Sequence, residues 1–150
     1  MKTLLYRGKD LANNAEALEC VLACVNEAVR ATNDALQKSG ISFRDPMWTR
    51  DDIIARGSYF TVLYDAGDNP VAACEHVTVK DVLHIKSFGV VRKYQHMGYG
   101  KALMKAMVTY ADENVLSEMR LMCAFNNEAA VALYRACGFK IFTCAMYRKV

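Results

Sequence analysis

Apolar positions along the chain change their spacing several times, and each change predicts an element. Thr3 to Arg7 reads as a short strand. From Ala15 onward Leu18, Val21, Leu22, Val25, Ala28 and Val29 recur at helical intervals, which predicts an amphipathic helix to about Ala31. A second helical stretch, Asn33 to Lys38, stops at Gly40. Ile41 to Thr49 is a loop holding Pro46 and the single tryptophan, Trp48; Thr49 and Asp52 then have the spacing of a capping box. Strand character takes over at Tyr59, with strands over Tyr59–Tyr64, Val71–Val79 and Val82–Val90 separated by turn residues. A helix follows from about Tyr99 to Glu113, then a strand over Leu121–Phe125 and a helix over Glu128–Cys137. Asn126 or Asn127 caps that last helix and Gly138 stops it. Phe139–Lys149 reads as a final strand or pair of strands.

This order is not the strict strand–helix alternation of a doubly wound sheet. It predicts an α/β (α+β) fold, a mixed sheet with helices on both faces. The length of 150 residues suits one domain spanning 1–150. Hydrophobic residues make up 53% and charged residues 23%, a balance that predicts a folded core rather than disorder. The net charge of +3 comes from scattered lysines and arginines without a run, so no nucleic-acid partner is expected. No apolar run approaches a membrane span, and Arg7 and Asp10 interrupt the start before any leader-like core forms. A cytoplasmic location without a membrane partner is therefore expected. The six cysteines lie mostly in apolar runs and form no Cys-x-x-Cys pair, which favours buried thiols over disulfides or a metal site. A thiol-based redox or metal protein rests on the cysteine count alone.

The candidate chemistry begins at Val90–Met104. An apolar run feeds a short polar loop with two closely spaced glycines, and a helical pattern starts at once. That order lines up backbone N–H groups at a helix N-terminus, where the dipole and the unpaired donors favour an anion. Glycine lets a phosphate approach the backbone. A Walker loop is excluded, because Gln95 stands where its first glycine belongs and Ala102 where its Ser or Thr belongs. A dinucleotide fingerprint is excluded by Leu103 at the third glycine position. What remains is Gln95-x-x-Gly98-x-Gly100, or an ordinary tight strand-to-helix turn.

A second segment bears on that choice. Leu121–Phe139 runs as a strand, then Asn127, then Ala130-x-x-Leu133-Tyr134, and finally Gly138-Phe139. Together the two segments resemble the two cofactor motifs of the GNAT superfamily of acetyl-CoA-dependent N-acetyltransferases, in the same order and spacing. The resemblance implies a mixed, mostly antiparallel sheet of six to seven strands with helices on both faces. It implies acetyl-CoA as co-substrate, no metal, and transfer of the acetyl group to a primary amine by direct attack in a ternary complex. A non-catalytic acyl-CoA-binding module on the same fold is the alternative.

By the same resemblance, Phe88, Gly89 and Val90 pair through their backbone with the pantetheine arm, and Gly89 suits a bulge. Gln95, His96, Met97, Gly98, Tyr99, Gly100 and Lys101 form the pyrophosphate loop. Asn127 contacts the cofactor arm, or simply caps its helix. Tyr134 is the general acid that protonates the departing thiolate; otherwise it is a half-buried aromatic. Arg92 replaces a frequent proline, and His96-Met97 replace residues that are often basic or glycine. His84 falls where the histone-acetyltransferase branch carries its base, with Glu75, His76 or water as alternatives, and a plain strand histidine as the bland reading. The Phe43–Trp48 loop falls where the family forms its acceptor pocket; Trp48 either lines it or anchors the core. The acceptor is a small-molecule amine or a protein or peptide amine that the sequence does not identify. The last strands offer a surface for a homodimer.

Overall fold

The structure is a computed structural model that describes residues 1–149. Its sheet is built in chain order. Strands β1 (Lys2–Arg7), β2 (Tyr59–Tyr64), β3 (Pro70–Val79) and β4 (Val82–Val90) pair antiparallel, and β5 (Glu118–Leu121) joins β4 in parallel. Helix α1 (Ala15–Lys38) covers one face and α3 (Tyr99–Glu113) the other, while α2 (Arg50–Ile54) and α4 (Glu128–Ala136) flank them. No helix among the described residues is long and apolar enough to cross a membrane.

The period-2 alternation of the strands divides the core in two. Phe60, Val62, Tyr64 and Ala73 turn toward α1 and meet Val21, Cys24 and Val25. Leu63, Ala72, Cys74, Leu83 and Ile85 turn the other way, onto Leu103, Met104 and Met107 of α3. The expectation of helices on both faces therefore holds.

Three differences from the sequence reading have physical causes. The two helical stretches before Gly40 are one helix, because no Gly or Pro interrupts it. Asn33, a potential breaker, instead spends its amide on the backbone of Asp45 (2.9 and 3.0 Å). The helix ends where expected, with Gly40 at φ +70° and Ile41 N–H donating to the Leu36 carbonyl (2.9 Å). Second, the strand expected over Leu121–Phe125 lies at Glu118–Leu121. Register against Val82–Ile85 fixes it there, after which Met122 and Phe125 are exposed.

Third, the sheet has five strands among the described residues, not six or seven. Phe139–Lys149 has strand-type residues but no ladder partner, and Ile141, Phe142 and Met146 are exposed. Strand propensity expresses a fit to a neighbouring strand and does not hold a segment extended without one.

Candidate active site

Strands β4 and β5 part company in the middle of β4. The parallel pairing runs from Val82↔Glu118 to Ile85↔Leu121 and stops. From Lys86 to Val90, β4 keeps only β3 beside it, so its other edge presents unpaired backbone groups. At the parting, Glu75 pairs with Ser87 while His76 pairs with Ile85, which makes Lys86 the extra residue of a bulge. The bulge is thus not at Gly89, which pairs in register with Ala73. Gly89 answers to packing instead: a Cβ there would sit 2.9 Å from the Cys24 carbonyl carbon of α1, closer still to its oxygen.

The loop after β4 makes one 3-10 turn (Arg92–Tyr94), then runs into α3. His96 (φ 62°) and Gly98 (φ 86°) both adopt the left-handed conformation, with Gly98 at the helix N-cap. The first helical hydrogen bond is from Ala102 N–H to the Gly98 carbonyl, 3.1 Å. Among the described residues, the backbone N–H groups from His96 to Lys101 find no protein acceptor. A cradle of donors at the positive end of a fifteen-residue helix can hold a phosphate or pyrophosphate. At Gly100 a Cβ would meet only Leu133, Val90 and Phe88, at 3.4–3.9 Å. Packing inside the chain does not require glycine there, whereas a ligand lying on the backbone does.

Gln95 holds the loop in place from within. Its amide donates to the Val90 carbonyl and to Glu27 of α1, each at 3.3 Å. The Glu27 carboxylate also takes Arg92 at 3.4 Å and Arg30 one turn along the helix. Glu27 was not legible in the sequence, since a helical glutamate carries no signal of what the fold brings beside it.

Helix α4 closes the other side. Asn127 is its N-cap, accepting from Ala130 N–H at 3.3 Å, and the preceding Asn126 donates to the Ala35 carbonyl at the end of α1 (2.6 Å). Gly138 (φ 90°) ends the helix, and Phe139 N–H returns to the Tyr134 carbonyl at 3.0 Å. That turn folds Phe139 against Tyr134, whose ring also meets Phe88 of β4 edge-on; both centroid distances are 6.0 Å. Burial, reinforced by Cys123 and Cys74, pushes the Tyr134 phenol well above its ordinary range, so it keeps its proton at neutral pH.

Of the three base candidates, two are engaged elsewhere. Glu75 is fully buried and ion-paired with Arg56 (3.0 Å), with Ser87 Oγ at 3.4 Å. His76 lies in the α3-side core between Tyr59 and Tyr110, joined to Thr61 Oγ1 through Nε2 (2.9 Å). Burial lowers its pKa to about 4, which leaves it neutral. His84 is half-buried, pairs with Val77 and Arg120, and stands one residue before the strands part. Leu83 and Ile85 on either side of it face α3 and Tyr134, so His84 points to the opposite face of the sheet. His84 and Tyr134 are not brought together; they flank the parting from its two sides.

On the His84 face, two asparagines of α1 hold the irregular loop before α2. Asn33 clasps the backbone of Asp45, and Asn26 that of Trp48 (2.8 and 3.0 Å). Trp48 is half-buried under the Arg56 guanidinium, which lies 4.3 Å from the ring centroid. The thiols of Cys20, Cys24 and Cys74 are buried, and burial raises those of Cys24 and Cys74 above their ordinary range.

A strand edge opened beside a left-handed glycine loop, with Tyr134 behind it, is one arrangement within a larger match. The family model for the acetyltransferase (GNAT) family covers residues 23–139. The chain belongs to that family. GNAT acetyltransferases also share its fold among solved structures. The ribosomal-protein-S18-alanine N-acetyltransferase of Escherichia coli superposes with TM-score 0.65 at 18% identity, over 95% of this chain and 80% of that one. The PaiA N-acetyltransferase of Thermoplasma acidophilum, in complex with coenzyme A, gives 0.63 at 14% identity, over 97% and 94%. An aminoglycoside acetyltransferase from an uncultured soil metagenomic sample, in complex with sisomicin, gives 0.63 at 14%, over 99% and 95%. No curated protein matches the sequence. At such identities these structures speak for the fold; residue roles in this GNAT chain rest on its own geometry.

Proposed function

We propose that this GNAT chain is an N-acetyltransferase that moves the acetyl group of acetyl-CoA onto a primary amine by direct attack in a ternary complex. The observation that carries this is the β4 edge, Lys86–Val90, which has no strand beside it and runs into the unpaired N–H groups of His96–Lys101. One end suits an amide-bearing arm that adds like a strand, the other a pyrophosphate. Acetyl-CoA supplies the activated acyl group. Phe88, Gly89 and Val90 offer their backbone to the pantetheine arm, and the loop held by Gln95 offers His96, Met97, Gly98, Tyr99, Gly100 and Lys101 to the phosphates. Asn127 has its carbonyl committed to the helix cap and its amide N–H groups left to reach the cofactor arm.

Tyr134 Oη holds the proton that leaves with the coenzyme A thiolate; a buried, neutral phenol is in the right state to give it. His84 takes the proton from the acceptor ammonium, directly or through water, on the other face of the sheet. The acid and the base then act from opposite sides of the parting, where the acceptor nitrogen and the thioester carbonyl would meet. The acceptor enters beside the Phe43–Trp48 loop and is a small-molecule amine or an amine of a protein. Relatives of this fold include enzymes named for a ribosomal protein and for aminoglycosides. The cytoplasm, where thiols stay reduced, suits the six free cysteines.

Release of coenzyme A thiol from acetyl-CoA, followed across a panel of amines, tests the reading. With an accepted amine the wild type turns over, and Tyr134→Phe lowers kcat by about a hundredfold while KM for acetyl-CoA changes little. Tight acetyl-CoA binding without turnover on any amine would make the chain a binding module instead.

A further inference from the structure

The His84 face of the sheet carries a guanidinium that packing alone does not explain. Glu75 is fully buried on β3, and Arg56, just past the end of α2, reaches it through Nε at 3.0 Å and Nη2 at 3.5 Å. A buried ion pair rarely stabilises a fold more than apolar side chains of the same size, so stability does not call for one here. Arg56 is fixed at two further points. Its guanidinium lies 4.3 Å from the centroid of the Trp48 ring, and a Cβ at Gly8 would come within 2.7 Å of the Arg56 carbonyl oxygen.

Held this way, the guanidinium is preorganised and only partly used. Nη1 has no acceptor among the described residues, and the side chain is 44% exposed. Nearby Asp52 is committed to Thr49, its carboxylate accepting from the backbone N–H at 2.7 Å and from Oγ1 at 2.8 Å. Arg120, the neighbour of His84 on β5, is committed to Glu118 at 2.6 and 2.8 Å. A planar fork with open N–H groups, stacked on a tryptophan, suits a carboxylate.

Its place on the sheet ties Arg56 to the chemistry. Glu75 and Val77 lie on one face of β3, and Val77 is directly opposite His84. His84 therefore stands diagonally across from Glu75, about 7–8 Å away. An amine that loses its proton to His84 brings a carboxylate a few bonds further along the same molecule within reach of Arg56.

We propose that Arg56 selects the acceptor, and that the chain acetylates an amino acid or another small primary amine bearing a carboxylate. This rests on the acetyltransferase reading above. The amine nitrogen forms the N–C bond as the thioester C–S bond breaks; the ammonium proton passes to His84 and the Tyr134 proton to the thiolate. The carboxylate stays on Arg56, unchanged by the reaction.

Release of coenzyme A thiol from acetyl-CoA tests the assignment, with amino acids, their carboxamides, their decarboxylated amines and polyamines as acceptors. The wild type uses amino acids with kcat/KM at least about tenfold above the matched carboxamides and amines, chiefly through KM. Removing Arg56 alone strands the buried Glu75 carboxylate, so the decisive variant is the neutral pair Arg56→Gln with Glu75→Gln, its acetyl-CoA affinity by calorimetry reporting that it is folded. In that variant the preference falls to about twofold or less. Arg56→Lys, which keeps the ion pair and loses the fork, lowers it in the same direction. Carboxamides, amines or polyamines used by the wild type as well as amino acids, or a preference that the paired variant retains, overturns the role of Arg56 and leaves the acetyltransferase reading standing. Turnover of no acceptor in the panel overturns both.

Discussion

Gly89 and Gly100 flank the same loop, one on the strand that enters it and one on the helix that leaves it, and they are glycines for opposite reasons. At Gly89 the chain itself fills the space: α1 crosses so closely that a Cβ would enter the Cys24 carbonyl group. At Gly100 the chain leaves room, and a Cβ would make ordinary contacts with Leu133, Val90 and Phe88. The interior of the sheet is therefore committed to packing, while the loop is held in shape by Gln95 and Glu27 with its backbone facing outward. The same residue type answers to packing at one position and leaves the backbone open to a ligand at the other.

The largest effect is expected from Gly89→Ala. Cβ clashes with backbone rather than with a movable side chain, so unfolding free energy falls by about 3 kcal/mol or more. Urea unfolding measures it; a loss under about 1 kcal/mol would mean that α1 can move away and that the interior is less committed than described.

His76 tests the same packed interior through pH. Burial holds its folded-state pKa near 4, below the ordinary 6.5, so folding keeps it neutral where the unfolded chain would protonate it. Its contribution is fully present above pH 6.5 and is lost as pH falls toward 4, up to about 3 kcal/mol. Unfolding curves between pH 7 and 4.5 should show that decline, and His76→Leu should flatten it. An unchanged slope in the variant would assign acid sensitivity to other groups.

The smallest effect on the fold is expected at Gly100. Gly100→Ala should keep stability within about 1 kcal/mol of wild type, because the position is an α-helical one with space for a methyl. It should still raise KM for acetyl-CoA by about tenfold, because the methyl stands between ligand and backbone. A stability loss as large as that of Gly89→Ala would erase the distinction between the two glycines.

Much of the fold was legible because its signals are local. The spans Tyr59–Tyr64, Val82–Val90 and Tyr99–Glu113 follow from alternation, turn residues and helical spacing, and Thr49–Asp52 forms the capping box its spacing implies. Phe139–Lys149 and Leu121–Phe125 misled for the opposite reason, since their strand character needed a neighbour that lies elsewhere or not at all. The site divides in the same way. Gly98 and Tyr134 announce themselves through motifs, whereas Glu27 and Arg56 acquire meaning only from Gln95 and Glu75, which the fold sets beside them.

Local sequence was enough for the family, the element order through α4, and a glycine loop whose backbone donors suit an anion. These depend on short-range spacing, which any fold of the chain must preserve. Tertiary structure decided that Gly89 belongs to packing, that the bulge sits at Lys86, and that Glu75 and His76 are engaged while His84 stands at the parting. Those outcomes depend on which backbone a residue meets across the sheet. Register and helix approach are products of the whole core, and no window of sequence contains them.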